Sequence, residues 1–434
     1  MKGESRKPTR EIPELCGFEF SGRPGIVFQL HDATQSRTRQ LTPFAPSFCK
    51  KSLRSYPRLP VLGWSALSGE RAAPALGVLS ARYRRYTTSG RAAIALALRA
   101  LEIRPRDKVL VPTYHCPTMI APVVQSGAQP MFYPITASGA VDLEWLQRAA
   151  RDGARAMLAT HYFGIPQPMS TLRAFCDAHR IALIEDCAHA FFGVSEGVAA
   201  GSWGDLAIAS LPKFFPVPEG GLIVSAAHSL KNLDLAPCKW RDEVKAVVDA
   251  VEIGVVHGSF PGLNTLLGGA FRLKNWLRRH GRPTDARETR GSESAKPAVD
   301  VRLDSLRTVV AARWISSGVH LSRIVGNRRR NYAALASSLS RIEGAHALCP
   351  DLPEDATPYV FPLYVNDPAA SYQRLRSAGI PIFRWDEVWP GTPVLDGDHG
   401  LDWAHRVFQL GCHQDLSLDD IEAMAITVRE CIRP

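Results

Sequence analysis

The chain has 434 residues, of which 45% are hydrophobic and 22% charged, enough apolar material for a large core, and this excludes a disordered or fibrous protein. No stretch approaches the roughly 18 uninterrupted apolar residues of a membrane span. With 52 Lys and Arg against 42 Asp and Glu the net charge is +10, which suits nucleic acid, anionic lipid or a phosphorylated small molecule without choosing among them.

The charged start up to Arg10 is followed by no apolar run between Glu11 and Gly25, so no secretory signal is expected and the protein is placed in the cytoplasm. The nine cysteines are odd in number and form no CxxC pair. Cys116, Cys176 and Cys187 lie among apolar neighbours and read as core thiols, so neither disulfides nor a metal site is expected. No nucleic-acid motif accompanies the positive charge.

Residues 1–70, rich in basic, Pro and Ser residues, are expected to form a poorly ordered basic extension. Over residues 71–230 the pattern is regular. SGRAAIALALRAL (89–101) has helical spacing behind a Ser-Gly start, and DKVLVP (107–112) reads as a buried strand. Helix-like APVVQSGAQ, strand-like PMFYPI, helical VDLEWLQRAARDG, strand-like RAMLATHYF, helical STLRAFCDAHR and strand-like IALIEDCAH follow in turn. Short strands at 205–210 and 221–225 then flank PKFFPVPEGG.

Such alternation predicts an α/β domain, a mostly parallel sheet covered by helices, with ligands beyond the carboxyl ends of its strands. Residues 231–300 read as a basic amphipathic insertion containing LNTLLGGAFRLKNWLRRHGR (263–282), and 301–330 as a connecting helix. Residues 331–434 suggest a small C-terminal α+β domain.

Four features carry chemistry. Lys213, in SLPK after a predicted strand and before the PEGG turn, sits among Leu, Pro and Phe. A buried ammonium loses its proton and becomes a nucleophile towards carbonyls; by itself, a surface lysine in a loop explains the segment as well. Asp186 ends the strand IALIED, where an acid can hold the protonated nitrogen of a pyridine ring or simply cap a helix. His189, three residues on, reaches the same ligand or is a hydrogen-bonded core histidine. Ser89, Gly90 and Arg91 open a helix whose N–H groups and dipole can hold phosphate, although Ser-Gly also serves as a plain cap. In PTYHCP (112–117), Tyr114 or His115 can lie against a flat ring or belong to the core.

Taken in chain order, phosphate cradle, ring-stacking loop, strand-end acid and lysine before a glycine turn describe a pyridoxal phosphate pocket and resemble the fold-type I enzymes. More closely, the chain resembles the DegT-type sugar aminotransferase family, through SGRAAIALALRAL, HYFGIPQPM, IEDCAHA and GSWGDLAI followed by a lysine and EGG. The resemblance implies pyridoxal 5′-phosphate as cofactor. Lys213 would be the catalytic lysine that bonds it, and Asp186 the partner of the pyridine nitrogen. Ser89, Gly90 and Arg91 would cradle the phosphate with Ser210 as a hydroxyl ligand, and His189 would lie near the ring oxygen.

This chain departs from the family at several points. Arg91 stands where Thr is usual, Ser210 lies three rather than five residues before Lys213, and Tyr114-His115-Cys116 replaces the usual stacking aromatic. Asp300-Val301-Arg302 replaces the Asn-Tyr-Arg loop that reaches the partner subunit. The resemblance further implies a homodimer and an amino-acid donor, glutamate foremost. The acceptor would be a keto-sugar linked to a nucleotide, in polysaccharide or secondary-metabolite biosynthesis. Other pyridoxal phosphate reactions (aldolase, decarboxylase, acyl-condensing synthase) would use the same groups. The segment 263–282 also suggests a weak contact with a membrane surface, as in a regulatory protein that keeps the fold without turnover.

Overall fold

The computed structural model describes residues 55–67, 76–149, 152–280 and 304–432. The expected extension up to residue 54, the end of the 263–282 segment, the polar run 283–297 and Asp300-Val301-Arg302 lie outside the described residues. Within 55–67, expected as part of that extension, Tyr56, Val61 and Ala66 are buried, and the short helix α1 (Trp64–Leu67) follows.

The first half of the chain alternates as its apolar pattern requires. After β1 (Tyr83–Thr87) come α2 (Gly90–Ala100), β2 (Lys108–Pro112), α3 (Pro117–Gln125), β3 (Gln129–Tyr133), α4 (Leu143–Ala149), β4 (Ala154–Thr160), α5 (Met169–His179) and β5 (Ala182–Asp186). A two-stranded ribbon, β6 (Val194–Ser195) with β7 (Val198–Ala199), precedes β8 (Leu206–Ser210) and β9 (Gly221–Ser225). One seven-stranded sheet results, in the order β1-β9-β8-β5-β4-β2-β3. The pairs from β3 to β8 are parallel; β9 is antiparallel to both β8 and β1.

Alternate residues of each strand enter different cores, because side chains point to opposite faces with a period of two. Val109, Val111, Ile184, Ile208 and Ile223 pack with Ile94, Leu96 and Leu98 of α2. Leu110, Met157, Leu183, Ala207 and Leu222 face the opposite side with Leu172, Phe175 and Cys176 of α5. Both faces are thus covered, as a parallel sheet demands. Cys176 and Cys187 are buried thiols, as expected.

Beyond the sheet lie α6 (Trp240–Val256) and α7 (Asn264–His280), which pack on one another through Gly268 and Val255 and the Lys274–Glu252 ion pair. The connection expected over 301–330 contains two helices, α8 (Val310–Gly318) and α9 (Leu321–Ser338), separated after Gly318. The C-terminal part adds β10 (Ala345–Ala347), β11 (Val360–Val365), α10 (Pro368–Ser377), β12 (Ile382–Phe383), α11 (Gly400–Arg406), β13 (Val407–Gly411) and α12 (Leu418–Ile432). Its four strands form an antiparallel sheet in the order β10-β11-β13-β12, with a separate core that includes Leu335, Phe361, Leu375, Phe408 and Met424. Among the described residues, no helix is long and apolar enough to cross a membrane.

Candidate active site

The polar residues at the carboxyl ends of β5 and β8 meet the start of α2 in one cavity of about 350 Å³. Ser89, Gly90, Arg91, Asp186, His189, Ser210 and Lys213 all line it, with Cys116, Thr118, Thr160 and Trp385. A larger groove, about 660 Å³, opens at Ala182 and Leu206, the amino ends of the same strands. Its lining includes the surface ion pairs of Arg173 with Asp177 and Asp205.

Ser89 caps α2: its hydroxyl oxygen accepts from the Ala92 N–H at 3.2 Å, leaving the hydroxyl proton to donate elsewhere. The N–H groups of Gly90 and Arg91 lie in the first turn, where a helix supplies no acceptor. A Cβ at Gly90 would stand 3.6 Å from the Ser210 Cβ, so the turn after β8 lies directly against the helix end. The approach of β9 also depends on glycine: a Cβ at Gly221 would meet the Ser89 carbonyl oxygen at 2.1 Å. Arg91 has a buried Nε with no hydrogen-bond partner in the protein.

Asp186 is buried, and its Oδ1 accepts from the Ala188 N–H at 2.9 Å. No helix follows Asp186, so the expected helix cap is only a cap on its own turn, and the residue also lines the cavity. Burial raises its pKa above the usual carboxylate value, against the opposing pull of the Ala188 N–H and Lys213. A cation placed against it would hold it ionised.

His189 is buried and packs at a tilt against Tyr359 and Trp385, with ring centroids at 4.5 and 5.0 Å. Its Nδ1 accepts from the Phe163 N–H at 3.3 Å, so the neutral ring carries its proton on Nε2. Burial, helped by the charge of Lys213, keeps it neutral by driving its pKa well below the ordinary value.

Lys213 ends a single 3-10 turn, Leu211–Lys213, and its Nζ lies 5.2 Å from the Tyr359 ring centroid. The backbone of this turn is held from α9. Arg328, fully buried, donates from Nη2 to the Lys213 carbonyl at 2.6 Å, from Nη1 to the carbonyls of Pro358 and Tyr359, and from Nε to Gln414 Oε1 at 2.8 Å. Gln414 Nε2 in turn donates to the Phe214 carbonyl at 2.8 Å. Burial lowers the Arg328 pKa to about 10, so it stays charged at neutral pH.

Behind the site, Glu185 accepts from His161 Nε2 at 2.9 Å and from the N–H groups of Gly201, Trp203 and Gly204. Burial alone would raise the Glu185 pKa; the His161 bond and charge and the backbone N–H bonds bring it below the usual value. His161 Nδ1 accepts from the Gln167 N–H at 2.9 Å. Although His161, Glu185 and Cys187 are within metal-ligand reach of one another, these hydrogen bonds occupy the histidine nitrogens and the carboxylate.

Tyr114 and His115 are the sequence-predicted residues that the structure does not bring to the cavity. Tyr114 is buried among Tyr162, Trp385 and Trp403, its hydroxyl accepting from Gln409 Nε2. His115 donates from Nδ1 to the Pro112 carbonyl, and its Nε2 accepts from the Trp389 N–H. Pro117 opens α3 behind Cys116, which leaves only the third member of the triplet, Cys116, on the wall, its Sγ 3.0 Å from Thr118 Oγ1. The ring above the cavity is Trp385, from the chain just after β12, which sequence reading missed. Arg328 was missed as well, hidden in the run Arg328-Arg329-Arg330. A signal was there: Ile324, Arg328, Asn331, Tyr332 and Leu335 fall on one helical stripe, and all are buried.

The parallel sheet, the helix end at its carboxyl edge, the strand-end acid and the lysine after β8 define the fold-type I class of pyridoxal phosphate enzymes. Residues 78–251 match the DegT/DnrJ/EryC1/StrS aminotransferase family. A UDP-N-acetyl-3-dehydro-alpha-D-glucosamine 3-aminotransferase of Acidithiobacillus ferrooxidans is 27% identical over 272 residues, 58% of this chain and 73% of that protein. GDP-perosamine synthase of Vibrio cholerae is 33% identical over 178 residues, 38% of this chain and 48%, less than half, of that protein. An aminotransferase of the same family from Brucella abortus shares the fold with a TM-score of 0.55 at 17% identity, over 82% of this chain and 87% of that one.

The cofactor of this family is pyridoxal 5′-phosphate, and the cavity fits it. An open helix end with hydroxyls and an arginine suits the phosphate, a buried acid suits the ring nitrogen, and a lysine lies between them and the small-domain aromatics.

Proposed function

We propose that this chain transfers an amino group from an amino acid, glutamate foremost, to a keto-sugar carried on a nucleoside diphosphate. The observation that carries the reading is the convergence of Lys213, Asp186, His189 and the amino end of α2 on one cavity. The activities of these relatives support the sugar as acceptor, and the net charge of +10 suits a diphosphate.

Bound in this cavity, pyridoxal phosphate supplies an electron sink for the substrate carbon. Ser89, Ser210, Arg91 and the N–H groups of Gly90 and Arg91 hold the phosphate. Asp186 faces the ring nitrogen and keeps its proton there. His189 offers its Nε2–H to the ring oxygen, fixed in that tautomer by the Phe163 N–H. Lys213 would hold the cofactor covalently at Nζ, and its free amine would carry the proton to and from the substrate carbon. Trp385 and Tyr359 exclude water from that transfer, which strengthens the electrostatic contacts inside. The working assembly is a homodimer, the commonest soluble arrangement.

The test is the visible absorbance of the purified protein before and after borohydride, for wild type and Lys213→Ala. The expected result is absorbance that collapses on reduction, with a cofactor-sized mass fixed on Lys213 and absent from the variant. Glutamate should then shift the spectrum before reduction, and the shift should reverse on adding a keto-sugar nucleotide. A protein that takes up no added pyridoxal phosphate would refute the reading.

A further inference from the structure

The helix α7 presents its apolar side outward. Leu263, just before it, then Leu266, Ala270, Leu273 and Trp276 recur at helical spacing and are all exposed, Leu266 by 72%, Leu273 by 57% and Trp276 by 54%. The opposite side is the one in contact with α6: Gly268 lies against Val255, and Lys274 pairs with Glu252. A solvent-facing helix ordinarily reverses this arrangement, so the outward stripe is built for an apolar medium. It runs about 20 Å along the helix, at about 1.5 Å per residue.

The charge on the same helix chooses the occupant. Residues 264–280 include Arg272, Lys274, Arg278 and Arg279 and no Asp or Glu. Arg272 is exposed beside the apolar stripe. A second copy docked with α7 on the two-fold axis would set this acid-free basic helix against itself, because an isologous patch must complement itself. An anionic lipid surface satisfies both features at once: leucines and a tryptophan enter the headgroup boundary, and the cations meet the phosphates.

We infer that α7 is a membrane-surface anchor that docks this enzyme peripherally on anionic lipid through Leu263, Leu266, Leu273 and Trp276, with Arg272 at the headgroups. The helix lies in the plane of the surface, since its apolar face extends along its side rather than across its length. Docking is independent of the cofactor cavity, to which α7 contributes no residue.

The test is sedimentation of the full chain with vesicles of phosphatidylcholine alone and of phosphatidylcholine mixed with phosphatidylglycerol, at low and high salt. The wild type should sediment with the mixed vesicles at low salt and be released by high salt or by omission of the anionic lipid. Leu266→Glu/Leu273→Glu, two outward positions, should weaken binding by roughly tenfold or more per leucine. Arg272→Glu should weaken binding to the mixed vesicles at low salt and make its dependence on salt shallower, and both variants should melt like wild type. The inference is overturned if the wild type binds no anionic vesicle, if it binds neutral vesicles equally well, or if the leucine variant binds undiminished. A fall in the solution mass of the leucine variant by light scattering would overturn it too, assigning the stripe to a subunit contact.

Discussion

Replacing Arg328 by Met removes the guanidinium that ties the Lys213 turn to the chain before β11, while nearly preserving side-chain volume. Four acceptors lose their donor: the carbonyls of Lys213, Pro358 and Tyr359 at 2.6, 3.0 and 3.1 Å, and Gln414 Oε1 at 2.8 Å. Hydrogen bonds to a charged group contribute about 1.5–3 kcal/mol each, but Met also removes the cost of keeping a cation out of water. A net loss of about 3–5 kcal/mol follows, because four buried neutral acceptors are left without a donor, at about 1–3 kcal/mol each before the relief of removing the cation. At about 1 °C per kcal/mol for a chain of this length, the melting temperature should fall by about 3–5 °C.

The structural loss should have a local signature. Without this carbonyl anchor the Lys213 turn is held less firmly, so the yield of borohydride-fixed cofactor on Lys213 should fall at a temperature where the variant remains folded. Arg328→Lys should be intermediate, because an ammonium cannot reproduce the planar fork that spans all four acceptors. Calorimetry and mass spectrometry of the reduced protein measure the two effects. A methionine variant that melts with wild type and fixes cofactor in wild-type yield would refute the argument.

Three other expectations follow from the same geometry. Gly221→Ala would place a Cβ 2.1 Å from the Ser89 carbonyl oxygen and 2.5 Å from Thr87 Oγ1, so it should destabilise the protein by about 1–3 kcal/mol and weaken cofactor retention without touching the ligand; an unchanged denaturation midpoint would contradict this. Asp186→Asn keeps an acceptor for the Ala188 N–H but not the charge, so cofactor should still be fixed on Lys213 while the single-turnover reaction with glutamate slows by roughly 10²-fold or more; stopped-flow absorbance decides it. Burial pushes His115 and His413 down to about 4. Because histidine in the unfolded chain titrates near about 6.5, the unfolded state binds protons first as pH falls. The stability these two contribute is complete above about pH 6.5 and is lost on the way down to about pH 4, amounting to about 2 kcal/mol each at pH 5. Urea denaturation at pH 7 and pH 5 should show the loss, and His115→Gln should remove its share.

The local pattern was strong where it repeats. Short apolar runs alternating with amphipathic helices required a covered parallel sheet, and six of its seven strands follow in the expected succession, the edge strand β1 (Tyr83–Thr87) being the one not expected. Ser89, Asp186, Ser210 and Lys213 were legible because each stands at an element end, where a polar residue next to an apolar run has few structural reasons to be there. HYFGIPQPM was legible partly for backbone reasons: Gly164 has φ +96°, and a Cβ there would meet the Thr357 carbonyl at 2.3 Å.

What the sequence by itself determined, then, is which segments form the sheet and which strand ends carry polar groups, since both depend on neighbours within a few residues. Only the tertiary structure decided which side chains share a cavity. Tyr114 and His115 occupy the expected loop yet turn into the core, where Gln409 and the Trp389 N–H satisfy them, and Cys116 takes the wall. Trp385 and Arg328 reach the site from more than a hundred residues further along the chain. Their roles rest on contacts between distant elements, and no local periodicity encodes which distant group a buried arginine or tryptophan will meet. The outward stripe of α7 belongs to both accounts: its spacing was visible in the sequence, but which side faced the protein was settled only when Gly268 and Lys274 packed against α6.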